Sequence, residues 1–309
     1  MKLYTIEANG NEYVAVLVND KMIKLESLGI KVKNMNDLIQ HFEELKDKLI
    51  NSVEKIEMNH KLGKSENFSE ADSKENDSEI NYLEAKDYKV LAPIPVPLQD
   101  VICLGVNYRS HIEETVDVLD FTKKADTVYF SKRVNRCNTP DGIIPNYDMV
   151  DSLDYEVELG VILKKDAFRV SVEEAADYIF GYTIINDVSA RNLQLKHQQW
   201  YFGKSLDGYT PMGPCIVTAD QIGDVHKLDI SCYVNDEKRQ SSNTEYMITT
   251  VEEAISELSR GITLKAGTII ATGTPGGVAM GMKPPVFLKT GDIVRCQISG
   301  IGEIINTVG

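Results

Sequence analysis

From about residue 98 to its end the chain is cut into short β-favouring runs by Gly, Asn, Asp and Pro. This punctuation limits the fold more than any other feature. The runs are VICLGV, TVYFSK, YEVELGVIL, YTIIND, CIVT, DISCYVN, TIIATGT and DIVRCQI. Two stretches between them are patterned as helices, SVEEAADYI and TTVEEAISELSRG. The second opens on a TVEE capping pattern and stops at Gly261. Many short strands with few helices argue against a doubly wound sheet and predict a β-rich α+β fold with a mixed sheet.

The first 90 residues read differently. MKLYTIE and EYVAVLV flank an Asn9-Gly10-Asn11 turn, and a second turn at Asn19-Asp20 leads into MIKLESL. MNDLIQHFEELKDKLI then predicts an amphipathic helix with Asn36 as N-cap and Leu38, Ile39, Phe42, Leu45 and Leu49 on one side. Residues 1–90 are therefore expected to form a small α+β domain that ends in a polar linker (about 60–88). That stretch is too poor in apolar residues to fix itself in place. The prolines of LAPIPVPLQD favour an extended entry into the second domain, 98–309.

Charge and cysteine usage narrow the function. The 309 residues carry a formal charge of −14, which disfavours nucleic acid and anionic membranes as partners. The N-terminus lacks the basic end and apolar run of a signal peptide, and no stretch approaches the roughly 20 apolar residues that span a bilayer. The five cysteines are scattered, odd in number and in no CxxC pair, which fits a reducing cytoplasm better than a disulfide frame or a zinc site. Cys103, in the apolar run VICLG, reads as core.

Chemistry concentrates in a few places. In Asp154-Tyr155-Glu156-Val157-Glu158 the alternation places Glu156 and Glu158 on one strand face. Alone, this also fits a solvated sheet face. The apolar run LGVIL that follows suggests instead a strand buried on both sides, where two carboxylates resist ionisation unless a cation joins them. Oxygen ligands select a hard ion. Asp187, at the end of YTIIND, is either a third ligand at a strand end or the N-cap of a following helix. If residues 107–114 are helical, His111 and Glu114 stand at i, i+3 and can form an oriented base, although a surface turn also fits. Lys132 and Lys204 interrupt apolar or small-residue stretches and can hold a substrate carboxylate or developing negative charge. The Gly-rich segment ATGTPGGV lacks the GK[ST] ending of a phosphate loop, but its amides and Thr274 can cradle a carboxylate.

In this order, NYxxHxxE (Asn107 to Glu114), DYEVELGVIL, NDVSARNLQ, GKSLDGYTPMGP and ATGTPGGV resemble the fumarylacetoacetate hydrolase family over about residues 98–309. The resemblance implies a mixed β-sheet roll around the site, a homodimer, and one Mg²⁺ or Mn²⁺ per subunit on Glu156, Glu158 and Asp187, with Ca²⁺ as a possible substitute. It implies a water-activating His111–Glu114 pair on a lid ordered by substrate, with Lys204 assisting. It further implies substrate contacts at Lys132, Gln194 and Thr274. Many members carry proline after the lysine matched by Lys132, whereas this chain has Arg133. Arg133 or Arg136 is then an added cation near the pocket. The implied activity is metal-dependent hydrolysis of a C–C bond in an acylpyruvate-type 2-oxo acid through a metal-stabilised enolate. The alternatives are isomerisation, hydration or decarboxylation of 2-oxo dicarboxylic acids such as oxaloacetate or 2-hydroxy-dienoates. A non-catalytic metal-binding protein is the remaining reading.

Overall fold

Both N-terminal turns form as the sequence predicts. Asn9 and Gly10 adopt left-handed backbone between β1 (Lys2–Ala8) and β2 (Asn11–Val18), as do Asn19 and Asp20 between β2 and β3 (Lys21–Lys24). These two-residue turns carry the twist that antiparallel hairpins need. The computed structural model describes residues 1–61, 82–119 and 127–309, with side chains omitted at 116–119. Most of the expected polar linker lies outside the described residues.

The predicted N-terminal helix is in fact two, α1 (Met35–Gln40) and α2 (Phe42–Lys61), separated at His41. Its cap is not Asn36. Asn34 accepts the Asp37 N–H at 3.0 Å, while Asn36 lies inside the helix and donates to Val96 O. β4 (Tyr82–Leu83) and β5 (Lys89–Val90) complete this part.

The rest of the chain runs β6 (Val101–Leu104), α3 (Arg109–Leu119), β7 (Tyr129–Lys132), β8 (Ile143–Ile144), β9 (Leu153–Asp154), β10 (Val157–Leu163) and β11 (Ile179–Asn186). Then come β12 (Ser189–Ala190), α4 (Arg191–Lys196), α5 (Tyr201–Lys204), β13 (Met212–Thr218), β14 (Asp229–Val234) and β15 (Glu237–Asn243). α6 (Val251–Ser259), β16 (Ile269–Ala271), β17 (Ile293–Ile298) and β18 (Gly302–Val308) close it. α6 starts at Thr250 with the expected capping box to Glu253. SVEEAADYI does not form an α-helix. Ser171 and Glu174 bond as a cap would, but only a 3₁₀ turn at Ala175–Tyr178 follows, and Ile179 already enters the buried strand β11.

The larger sheet runs β4-β3-β2-β1-β13-β11-β10-β16-β6-β7, with β5 beside β1. β1 pairs with β13, so the N-terminal hairpins continue the sheet of the following region. The smaller sheet runs β15-β14-β17-β18-β8. The two share one apolar core. Val157, Leu159 and Val161 of β10 meet Ile230 and Cys232 of β14 and Val294 and Cys296 of β17. The opposite face of the large sheet, with Ile162, Ile185 and Ile216, packs on Leu49, Val53 and Ile56 of α2. Every residue of β10 is buried, as a strand covered on both faces requires. Among the described residues no helix is long and apolar enough to cross a membrane.

Candidate active site

β10 and β11 are antiparallel neighbours, with Val157 opposite Asn186. This register sets Glu156, just before β10, beside Asp187, just after β11, and the Asp187 N–H donates to Glu156 O at 2.8 Å. Glu158 follows two residues into β10. One carboxylate oxygen from each of Glu156, Glu158 and Asp187 lies within 4.8 Å of the others, and all three residues are buried. Asp187 is not a helix cap, since α4 begins later and is preceded by Ala190.

Buried cations surround this trio. Lys204 Nζ donates to Glu156 Oε2 at 2.5 Å and to Asp187 Oδ2 at 2.7 Å. Lys132 Nζ pairs with Asp187 Oδ1 and donates to Val188 O at 3.1 Å. Lys204 reaches the trio because α5 lies directly against α4. A Cβ on Gly203 would come within 2.5 Å of the Gln194 backbone nitrogen. Arg191 divides its guanidinium among Asp154 Oδ2 (2.9 Å), Glu156 Oε1 (2.5 Å) and Gln194 Oε1 (3.0 Å).

The electrostatics differ within the trio. Burial alone would raise the Glu156 pKa, but Arg191, Lys204 and His111 outweigh it and hold this carboxyl below its ordinary range. Burial, then Asp187 and Glu156, push Glu158 well above its ordinary value. Its hydrogen-bond partner is the Gly273 N–H at 2.8 Å. With all four carboxylates ionised, as a bound ion would require, Asp154, Glu156, Glu158 and Asp187 face three buried cations (Lys132, Arg191, Lys204) and leave one negative charge over. Three converging oxygen ligands with that excess fit a hard divalent cation such as Mg²⁺ or Mn²⁺. Bound there, it would turn the local balance positive, which suits an anionic substrate.

The predicted pair on α3 forms. His111 Nδ1 is 2.9 Å from Glu114 Oε1, and His111 is 2% exposed. The Gly-rich segment supplies the seat. The amides of Gly277 and Val278 donate to Glu114 at 2.7 and 3.4 Å, and that of Gly276 donates to Ser110 Oγ. The segment does cradle carboxylates as expected, but they are the protein's own, Glu158 and Glu114. The N-terminal part of the expected lid is thus helical and packed, while residues 120–126 lie outside the described residues.

The remaining candidates are placed as follows. Gln194 is buried and accepts from Arg191. Thr274 donates its hydroxyl proton to Val157 O and accepts from Gln240 Nε2, so that hydroxyl is already engaged. Arg136 is not an added pocket cation, because it pairs at the surface with Glu12. Arg133 is exposed, with its N–H on Ser205 Oγ. Cys103 is core, and burial raises its thiol pKa well above the ordinary range.

Asp154 and Arg191 were not singled out in the sequence. Asp154 shares the parity of Glu156 and Glu158, so the alternation could have found it. Arg191 lies four residues after Asp187 but carried no such signal, since its burial depends on the pairing of β9 with β12.

A family model described as fumarylacetoacetate (FAA) hydrolase C-terminal matches residues 100–309. The chain is 37% identical over 311 residues to the oxaloacetate tautomerase YisK of Bacillus subtilis (strain 168), covering 100% of both. It is also similar to the solved fumarylacetoacetate hydrolase from psychrophilic Exiguobacterium antarcticum, at TM-score 0.79 and 33% identity, over 100% of this chain and 99% of that one. A further solved relative is maleylpyruvate hydrolase from Sphingobium sp. SYK-6 in complex with manganese(II) and pyruvate. There the TM-score is 0.74 and the identity 25%, over 100% of this chain and 98% of that one.

Proposed function

The chain belongs to the fumarylacetoacetate hydrolase family. From that membership we propose an enzyme of small 2-oxo acids that interconverts their keto and enol forms, with an oxaloacetate-type dicarboxylate as substrate. The observation that carries this reading is the His111–Glu114 pair, its imidazole buried and near enough to act electrostatically on Glu156 of a carboxylate trio that fits a divalent ion. A proton-transfer group beside a concentrated cationic centre is what moving one proton next to a carbonyl requires. The likeness to an oxaloacetate tautomerase over the whole chain supports the substrate class.

When bound on Glu156, Glu158 and Asp187, the ion supplies Lewis-acid polarisation of the 2-oxo group. His111 takes the proton from the carbon next to that group, so the C–H bond breaks and the C=C bond forms. Glu114 holds the imidazole in place and stabilises its positive charge. Lys204 and Lys132 keep positive charge beside the oxygen on which negative charge develops. Return of the proton to that oxygen gives the enol, and the reverse sequence gives the keto acid.

A second reading is hydrolysis of an acylpyruvate. Here His111 takes its proton from water, as the hydrogen-bonded His111–Glu114 geometry also permits, and the likeness to two hydrolases supports it. A panel of oxaloacetate, acylpyruvates and 2-hydroxy-dienoates with Mg²⁺ or Mn²⁺, with products identified by mass and NMR, separates the two. Accelerated tautomerisation without cleavage supports the first, and carbon–carbon cleavage supports the second. A zero rate throughout would overturn both and favour a metal-binding protein without catalysis.

A further inference from the structure

Four consecutive backbone amides connect Glu114 of the proton-transfer pair to Asp154, a carboxylate with no direct part in the proton transfer. The N–H groups of Gly277 and Val278 donate to Glu114. Those of Ala279 and Met280 donate to Asp154, to Oδ1 at 2.8 Å and Oδ2 at 3.0 Å. Asp154 is fully buried and also accepts the Tyr155 N–H and Arg191 Nε. Arg191 in turn holds Glu156 and Gln194. The turn has little freedom to move on its own. Gly277 has φ +105°, and a Cβ there would come within 2.0 Å of Arg239 O.

We propose that Asp154 is a positioning residue that couples the metal-ligand side of the site to the His111–Glu114 pair through the backbone of residues 277–280. One carboxylate sets the rotamer of Arg191, and through it Glu156. The same carboxylate fixes the two amides that follow those gripping Glu114. A shift at Glu156 is passed to Asp154 by Arg191, and from there to the turn. Such a path has physical content only if both ends bias one element, and here that element is the 277–280 turn. The inference rests on reading His111–Glu114 as the proton-transfer pair.

The test is amide hydrogen exchange on the full-length, metal-free chain. In Asp154→Asn one acceptor oxygen becomes a donor nitrogen, which must then face Arg191 or an amide N–H. Exchange at Gly277 and Val278, which Asp154 does not touch, is expected to rise by at least about tenfold, within the usual range of coupling between sites. Amides of β14 and β17 should exchange as in the wild type, which separates coupling from general loosening. With an oxo-acid substrate, kcat should fall by a similar factor while KM stays within about threefold. Loosening confined to Ala279 and Met280, with kcat unchanged, would overturn the proposal.

A second arm needs no Asp154 variant. Mg²⁺ added to the wild type should slow exchange at Gly277 and Val278, and Arg191→Lys should remove that effect. Slowing at Gly273 alone, next to Glu158, would contradict the coupling. If the wild type turns over no oxo acid, the functional reading fails, while both exchange arms still decide whether the coupling exists.

Discussion

Glu158 is the member of the trio for which the described residues provide an amide, and no cationic side chain, as direct partner. Its raised pKa means that the metal-free protein keeps a proton there to higher pH than an ordinary carboxyl would. An entering ion must displace that proton, so apparent affinity should rise with pH, by up to about tenfold per unit below that pKa. Calorimetry in buffers of different ionisation enthalpy should show proton release that grows as the pH is lowered. Heats independent of buffer would contradict this. The linkage has a second consequence. A carboxyl with a raised folded pKa contributes stability below its unfolded pKa, and that stability is lost as pH rises through the folded value. The gain in Tm on adding Mg²⁺ should therefore grow as the pH is raised. Lys204 acts in the opposite sense, since it pairs with two of the ligands. Lys204→Met should destabilise the metal-free protein by about 3–5 kcal/mol, because it leaves buried charge uncompensated. The same variant should bind Mg²⁺ more tightly and lose turnover. Looser binding would count against the charge balance inferred for the site. At this scale much could be read from the sequence. Period two placed Glu156 and Glu158 together, and a buried strand made them costly without a cation. Arg191 was not legible, because an arginine at the start of a polar helical stretch looks like solvated charge until the β9–β12 pairing is known to bury it.

At the scale of elements, the Gly-rich segment after β16 carries more of the site than its sequence suggests. Its amides hold Glu158, Ser110, Glu114 and Asp154 in succession. A Cβ on Gly281 would lie 2.7 to 2.9 Å from the Glu114 carboxyl group. Gly281→Ala should thus displace Glu114 and lower kcat by about 10-fold or more, while Tm changes little, since the atoms to be moved are the end of one side chain. An unchanged kcat would mean that Glu114 does not need this seat. The apolar strands were legible from their runs, but β15 was not. EKRQSSN carries no apolar alternation, and it is held as a strand by its register with β14. SVEEAADYI failed in the other direction. Its cap residues and charges resemble a helix start, but Ile179 onward is claimed by β11, and tertiary burial overrides the local preference.

For the whole molecule, the question is whether residues 1–61 form an independent unit. The boundary near residue 98 follows from composition, yet β1 supplies an edge partner to β13, and α2 covers the face of the sheet that carries Ile162, Ile185 and Ile216. A chain of residues 98–309 would expose that strand edge and that apolar face, both of which favour association. It should elute as aggregates in size-exclusion chromatography; a well-folded monomer would show two separable domains. Long-range pairing of this kind leaves no local mark in the sequence, so the single continuous sheet became visible only in three dimensions.

In the proposed reaction the acidic trio and the His111–Glu114 pair together move a proton next to a 2-oxo group. Its most direct test is the rate of oxaloacetate enol-to-keto conversion in wild-type protein stripped of metal and then reloaded with Mg²⁺, against enzyme-free Mg²⁺ controls. Acceleration is expected to return only with the ion and to be lost in both Glu158→Ala and His111→Ala. Full acceleration by the stripped protein, or by either variant, would contradict it.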